Sequence, residues 1–491
     1  MIHSMVLVLD KKWGLSKKSR YFDLTLKGLN FHLYLPIYLL IMKAILKILM
    51  LLLTLVLLCH CKKEVEPKAN ILDYRFLNAL IELGVDKNAD GMISPYEASL
   101  FQILDVSGKN IYWLNGIEAF VNITYLDCHS NKLTSLDVTK NGKLTDLVCY
   151  DNQLTDLDVT KNTELTDLGC SENQLTSLNI SYNILLTNVS CGNNPLGSLD
   201  ISKNTELTYL SCHSNQLTSL VVTNNTKLTN LNCDINQLSS LDLTKNAKLT
   251  YISCWVNQLT SLDLTKNTAL DWLDCSSNQL TSLDVSNNTA LISFGCNGNQ
   301  LTSLDVSNSI ALKYLDCGGN KLTTLDVSHN SDLVTLSCEG NQLANLDVSN
   351  NTYLSYLSCG GTQLANLDVS NNTALWSLFC GGNQLTTLDV SFNTELRFLQ
   401  CHNNQLTSLD VANLLKLHIL ICSGNQLTSL DISKNSKLGP GEGYLSGCYL
   451  QINNMPSLGK VCVWTLPFPP DGVTVESTGS PNVFFTTDCG K

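Results

Sequence analysis

The chain has 491 residues, a formal charge of −12 and only 15% charged side chains, well under the ~25% of an ordinary soluble domain. The acidity tells against a nucleic-acid partner, because phosphate binding needs clustered Lys and Arg. Twenty cysteines in 491 residues are too dilute for a disulfide scaffold, which needs above ~8–10% of a short chain, so their spacing must explain them.

The first patterned segment is basic, then apolar, then cysteine. Lys43 and Lys47 lead into the apolar run Ile48–Leu58, and Cys59-His60-Cys61-Lys62-Lys63 follows. An 11-residue apolar core behind lysines has the layout of a secretory signal and is short for a membrane span. Its end at cysteine resembles the lipobox of bacterial lipoproteins. That resemblance implies lipidation of Cys61, with Cys59 as the alternative. Leu58 suits the position three before Cys61, but His60 departs from the small residue usual before the lipidated cysteine. An ordinary signal or an uncleaved anchor is the competing reading. Because Met42 directly precedes Lys43, residues 1–41 are expected to be an upstream over-extension, 42–61 the signal and 62–70 a tether. Loss of residues 1–60 would remove eight Lys/Arg and two Asp, taking the charge from −12 to −18. Export would put the chain where disulfides persist.

Residues 86–97 read Asp-Lys-Asn-Ala-Asp-Gly-Met-Ile-Ser-Pro-Tyr-Glu, which fits an EF-hand calcium loop at each diagnostic place. Asp86, Asn88 and Asp90 would offer side-chain oxygens and Met92 its carbonyl. Ser94 would act directly or through water, and Glu97 in bidentate fashion. Gly91 permits the sharp turn. Apolar periodicity on both sides predicts flanking helices. Sensors usually pair such loops, so one loop points to a single structural calcium in a helical cap, which repeat arrays need. The competing reading is a metal-free polar turn. Residues 71–122 are this cap plus a degenerate first repeat, with Val106 in the slot that cysteine takes later.

From Cys128 to Cys422 a cysteine recurs every 21 residues, fifteen times, without insertion or deletion. A fixed period of 20–50 residues signals a solenoid or propeller. In the first unit Leu126 and Cys128 alternate with Tyr125, Asp127 and His129, the period of a half-buried strand. Three residues after the cysteine an Asn recurs in fourteen of fifteen units, Thr362 being the exception. A stacked Asn amide would satisfy turn carbonyls. Leu133, Leu136 and Val138 return to the core. Asp137 has equivalents in thirteen units, and the Asp-Val-Ser/Thr-x-Asn stretch reads as an outer turn with Asx and hydroxyl caps. Fifteen is odd, and strands ~4.7–4.9 Å apart do not suit bridged Cβ atoms at ~3.8 Å. The ladder cysteines therefore read as reduced core residues.

This L-x-x-L-x-C-x-x-N-x-L pattern over 123–437 resembles the cysteine-ladder leucine-rich repeats of some bacterial internalins and surface lipoproteins. The resemblance implies an α/β-type repeat solenoid, a right-handed array of parallel β-strands behind a short helical cap. Fold alone does not name a function.

Residues 438–491 are expected to be a C-terminal cap with one last strand around Val461. Cys462 and Cys489 are candidates for a bridge closing it, and Cys448 is left over. On the strand face, the positions flanking each cysteine carry Tyr125, Tyr209, Tyr251, Trp255, Trp272, Tyr314, Tyr356 and Phe398 among other aromatics. Acids accompany them, and no Lys or Arg stands one or three before, or one or two after, a ladder cysteine. Aromatics anchor recognition surfaces, whereas single exposed apolar residues are ordinary. The sequence has no G-x-S-x-G, no H-E-x-x-H, no phosphate loop and no glycine-rich dinucleotide turn after a strand. The expectation is a monomeric, non-enzymatic, lipid-anchored surface protein of a Gram-negative bacterium, binding a protein ligand on a concave face. A glycan ligand and a calcium-stiffened spacer are the alternatives.

Overall fold

A computed structural model describes residues 35–59, 67–439 and 449–490. They fall into two units, divided at Glu66 and Pro67. Cys61 and Cys448, singled out above, lie outside the described residues.

In the first unit, helix α1 (Leu35–Cys59) runs unbroken for 25 residues. Its 18-residue stretch Leu39–Val56 has a mean hydropathy of 2.5, long and apolar enough to cross a membrane. The helix is longer than the 11-residue apolar run Ile48–Leu58 taken alone. Lys43 and Lys47 interrupt the apolar composition but do not break the helix, because lysine is a good helix former. A signal sequence passes the same test.

The second unit opens with two short helices, α2 (Tyr74–Glu82) and α3 (Pro95–Ser99), on either side of the 86–97 loop. Asp73 ties this cap to the repeats. One carboxylate oxygen caps α2 by accepting from Arg75 N–H at 2.8 Å, and the other accepts from Tyr112 N–H at 2.6 Å. Phe76 and Leu80 are buried, and the Phe76 ring lies 6.5 Å from that of Phe120. The degenerate repeat follows in the expected register. Strand β1 (Ile103–Asp105) pairs in parallel with β2 (Tyr125–Asp127), Leu104 opposite Leu126, which puts buried Val106 in line with Cys128.

From β2 to β16 (Ile419–Ile421), each repeat adds one three-residue strand parallel to the last. Register advances by 21 residues, Tyr125 opposite Asp146 and Leu126 opposite Leu147. Leu126 and Cys128 are fully buried, as are Leu133 and Val138. All fifteen ladder cysteines are free thiols. Burial raises their pKa, to about 12 at Cys191, so they pack as small neutral hydrophobes.

Two polar ladders replace the hydrogen bonds that strands this short leave unmade. In the first, Asn152 Nδ2 donates to the carbonyls of Cys128 (3.0 Å) and Cys149 (3.2 Å). Its Oδ1 accepts from Leu133 N–H at 3.0 Å. One amide thus stitches two successive turns, as the spacing implied. At the exception, the Thr362 hydroxyl reaches the Cys359 carbonyl at 3.0 Å and Asn383 Oδ1 at 2.6 Å. The second ladder differs from expectation. Asp137 does make the outer turn, accepting from the N–H and hydroxyl of Thr139 at 2.9 and 2.6 Å. Asn141 and its equivalents, however, are buried. Asn162 Nδ2 donates to Val138 and Asn141 carbonyls at 3.0 and 2.9 Å. The turn carbonyls face inward, so the amide that satisfies them must be inside too.

The residue two past each ladder cysteine is left-handed in all fifteen repeats. Glycine holds that place in six of the last seven repeats, from Gly298 on, but Ile235 (φ 50°) and Val256 (φ 53°) hold it earlier. Left-handed backbone is strained for β-branched side chains.

The array continues past residue 437. Strands β18 (Leu450–Gln451) and β20 (Val475–Glu476) extend the main sheet to eighteen strands among the described residues, Leu450 opposite Leu420 and Val475 opposite Leu450. A second, three-stranded sheet joins β17 (Ser429–Asp431), β19 (Lys460–Cys462) and β21 (Phe484–Thr486). The cap is therefore two irregular turns and a small back sheet rather than one last strand. Cys462 is bonded to Cys489, with Cα atoms 5.6 Å apart. Phe468 packs between Trp464 and Phe485, at 5.2 and 4.8 Å.

Candidate functional site

Along the main sheet the middle residue of each strand points inward, leaving the first and third on the open face. The 21-residue register lines these positions up in columns, and two aromatic groups form where large side chains meet across strands.

The first group spans β8 to β11. Tyr251 on β8 (Tyr251–Ser253) stacks on Trp272 of β9 (Trp272–Asp274), with centroids 5.9 Å apart and planes 17° apart. The next strand, β10 (Ser293–Gly295), carries no large outward side chain, and Tyr314 stands beyond it on β11 (Tyr314–Asp316). The result is a depression of about 470 Å³, bordered also by Trp255, Asp274, Asp316 and Asn297. Trp272 and Tyr314 remain 43% and 47% exposed. Beside it, Asp234 is buried and accepts from Ser253 Oγ at 2.7 Å and Trp255 N–H at 2.9 Å. Burial, more than those bonds offset, pushes its carboxyl up to about 6, and Asp274 nearby adds to the rise.

The second group lies farther along. Tyr356 meets Phe379 edge-on at 5.4 Å, and Trp376 meets Phe398 edge-on at 5.8 Å. A depression of about 430 Å³ runs beside Glu339, Gly360, Gly381 and His402. Phe398, expected on the open face, is buried. The neighbouring Trp376 covers it, so it supports the surface rather than presenting it. Trp376 itself is exposed. It stands four before Cys380, a column not counted as outward, which also carries exposed Lys313 and Arg397. The inner columns lack Lys and Arg; the rim does not.

Tyr125 and Tyr209 join neither group. The Tyr125 hydroxyl donates to Asp127 Oδ2 at 3.2 Å, and His129 contacts the other oxygen at 2.6 Å while stacking on Tyr150 at 4.4 Å. Tyr209 stands between Asn188 and Asn230 on the adjoining strands.

The 86–97 loop closes around its own carboxylates. Asp86 accepts from Asp90 N–H (3.2 Å) and Gly91 N–H (2.9 Å), and Asp90 accepts from Met92 N–H (3.0 Å). Gly91 has φ 77°, which the turn requires. Ser94 and Glu97 form a capping box at the start of α3. Burial works to raise the Glu97 carboxyl, but hydrogen bonds from Ser94, Lys87 and Asn88 together hold it below its ordinary value. Lys87 turns away over the Phe101 ring, 5.1 Å from its centroid. The buried Ile93 offers its carbonyl to Ala69 N–H at 2.8 Å. An all-oxygen donor set with three carboxylates and no inward cation fits a hard divalent ion such as calcium.

The functional domain of InlJ from Listeria monocytogenes, which includes a cysteine ladder, is similar at 39% identity and a TM-score of 0.66, over 69% of this chain and 76% of that one. The chain belongs to the internalin-like leucine-rich-repeat proteins. YopM from Yersinia enterocolitica is similar at 26% identity over 74% of this chain and 78% of its own, TM-score 0.55. A leucine-rich-repeat protein of Leptospira interrogans, at 22% identity over 80% and 97% and a TM-score of 0.57, shares the fold. No family model and no curated protein matches the chain. In this internalin-like array the ladder cysteines are buried free thiols of the core, and the aromatics stand on the open strand face.

Proposed function

We propose that this internalin-like protein is a non-enzymatic, monomeric binding or adhesion protein of the cell surface. It holds a protein ligand on the strand face. The observation that carries this reading is the row Trp255, Trp272 and Tyr314, exposed aromatics on or just past neighbouring strands, with the partly buried Tyr251 stacked on Trp272. Rigid aromatics at the centre of a patch are the usual anchors of protein interfaces. The chain is tethered by lipid at Cys61, or at Cys59, to the outer membrane of a Gram-negative cell. Cys61→Ala should release it from the membrane fraction and Cys59→Ala should not.

The test of the binding reading is recovery of a cross-linked protein partner by the intact chain and by the triple variant Tyr251→Ala, Trp255→Ala, Trp272→Ala. Recovery should fall at least tenfold in the variant, with an unchanged melting temperature. Equal recovery would leave only a spacer. Binding to a glycan array in place of protein would move the reading to a lectin.

Calcium, held by Asp86, Asn88, Asp90, the Met92 carbonyl, Ser94 and Glu97, would stiffen the cap. It neutralises three carboxylates that otherwise repel one another. Saturation at a hundredfold excess over Kd stabilises a fold by about 2.7 kcal/mol. EDTA should therefore lower the melting temperature of the wild-type chain and leave Glu97→Gln unmoved, without altering partner choice. An EDTA-insensitive wild type would refute the metal.

A further inference from the structure

The depression between Trp272 and Tyr314 has a more specific chemistry than a generic aromatic patch. Its floor is β10, where Ser293 and Gly295 occupy the two outward positions. Its walls are the adjoining strands, each bearing an aromatic followed two residues later by an aspartate, Trp272 with Asp274 and Tyr314 with Asp316. We propose that this depression is a subsite for one cationic side chain, Arg or Lys, of a protein ligand. The inference rests on the protein-binding reading above and narrows it.

Spacing supports it first. Each wall strand lies ~4.7–4.9 Å from the floor strand. A cation on the midline therefore sits inside the ~6 Å range of cation–π attraction to both rings. Tyr251 stacks on one face of Trp272, which leaves the opposite face toward the gap. Charge supports it next. Among the described residues Asp274 Oδ1 accepts a single backbone N–H, from Ser276 at 3.0 Å. Asp316 accepts from Gly318 N–H at 3.2 Å and from Asn297 Nδ2. No Lys or Arg pairs with either carboxylate among the described residues, and none borders the depression. Two carboxylates thus border a shared gap without a basic partner. A neutral sugar would stack on the same rings but leave both charges unanswered. A guanidinium satisfies rings and carboxylates together, since its plane stacks and its edge donates.

The gap also depends on a missing side chain. A Cβ at Gly295 would come within 3.0 Å of Asp274 Oδ1 and 3.1 Å of Ser276 Oγ. Gly295 has ordinary backbone, with no positive φ, so open space rather than conformation is what its lack of a side chain provides.

The test uses the full chain and three probes: the blocked peptides Gly-Arg-Gly and Gly-norleucine-Gly, and a trimer of N-acetylglucosamine. Tryptophan fluorescence and saturation-transfer NMR report binding. The arginine peptide should quench saturably and the norleucine peptide should not. Asp274→Asn with Asp316→Asn, which keeps shape and removes charge, should weaken the arginine peptide at least tenfold. Gly295→Val should abolish its binding. Norleucine binding as strong as arginine, or saturable binding by the sugar trimer alone, would overturn the proposal, as would no saturable binding by the arginine peptide. A cross-linked partner lost in the aromatic triple variant but kept by both Gly295→Val and the double Asn variant would sink the subsite while leaving the protein-binding reading intact.

Discussion

Thr362→Asn should stabilise the protein, and the gain is confined to known atoms. In the flanking repeats, Leu322 N–H donates to Asn341 Oδ1 at 3.0 Å and Leu364 N–H donates to Asn383 Oδ1 at 3.1 Å. The amide between them, on Leu343, finds no such acceptor, because a threonine hydroxyl is too short to reach back one turn. The matching donor bond to the Cys338 carbonyl is missing too, since Thr362 reaches only Cys359 and Asn383. A buried N–H left unpaired costs about 1–3 kcal/mol, and a typical restored bond contributes about 1 kcal/mol. Restoring both, less the Asn rotamer entropy, should gain about 1–2 kcal/mol. Native-state hydrogen exchange reads this locally. Protection of the Leu343 amide should rise roughly 5- to 30-fold, at about tenfold per 1.4 kcal/mol, with distant repeats unmoved. The reverse change, Asn341→Thr, should deprotect Leu322 by a similar factor. Unchanged or faster exchange at Leu343 in Thr362→Asn would show that the ladder is not what satisfies these amides.

Ile235→Gly and Val256→Gly should each raise the guanidinium midpoint. Left-handed strain of about 1–2 kcal/mol outweighs the ~0.5–1 kcal/mol entropic cost of glycine, and no gain would refute the strain. The ladder thiols should resist a disulfide reagent at pH 8 in the native chain and react on unfolding. With Cys191 pushed up to about 12, native modification should be at least ~10³-fold slower than for an ordinary thiol, and fast native labelling would contradict the burial. Asp234, raised from 3.8 to about 6, keeps its proton when folded over a window in which the unfolded chain has lost it. Its contribution therefore favours the folded state below about 4 and fades as pH rises through about 6. Because it accepts from Trp255 N–H, tryptophan fluorescence should show a step near pH 6 that Asp234→Asn removes; a step surviving in that variant would assign it elsewhere.

Much of this was legible because the repeat is strict. A buried residue every 21 fixes the strand, its register and its inward side, and the Asn three residues later needs only the arithmetic of unpaired carbonyls. What the period leaves open is which of two similar environments a polar residue takes. Asn141 looks like a turn cap on paper, and only the inward tilt of the turn carbonyls makes it core. Past Gly439 the spacing between paired strands changes from 21 residues to 30, from Leu420 to Leu450, and then to 25, from Leu450 to Val475. Ile452 replaces cysteine in the slot, so the signal vanishes while the sheet continues. Phe398 is buried although its column faces outward, because Trp376, just ahead of the neighbouring strand, overlies it. The gap at Gly295 was available in principle, since writing the repeats in register puts Ser293 and Gly295 between two Trp/Tyr-x-Asp walls. The helices flanking the 86–97 segment follow from the apolar spacing on either side of it, but the attachment through Asp73 and Ala69 does not show in the sequence.

The unvarying register has a consequence for how such a surface changes. Each repeat touches only its neighbours, so loss or gain of a whole 21-residue unit needs no core redesign. It slides everything beyond it by one strand, ~4.8 Å. The two aromatic depressions therefore sit on a ruler, their separation set by the number of strands between Gly295 and Tyr356. A change in repeat count would re-space two ready-made contacts to suit a different partner while leaving each contact's chemistry untouched.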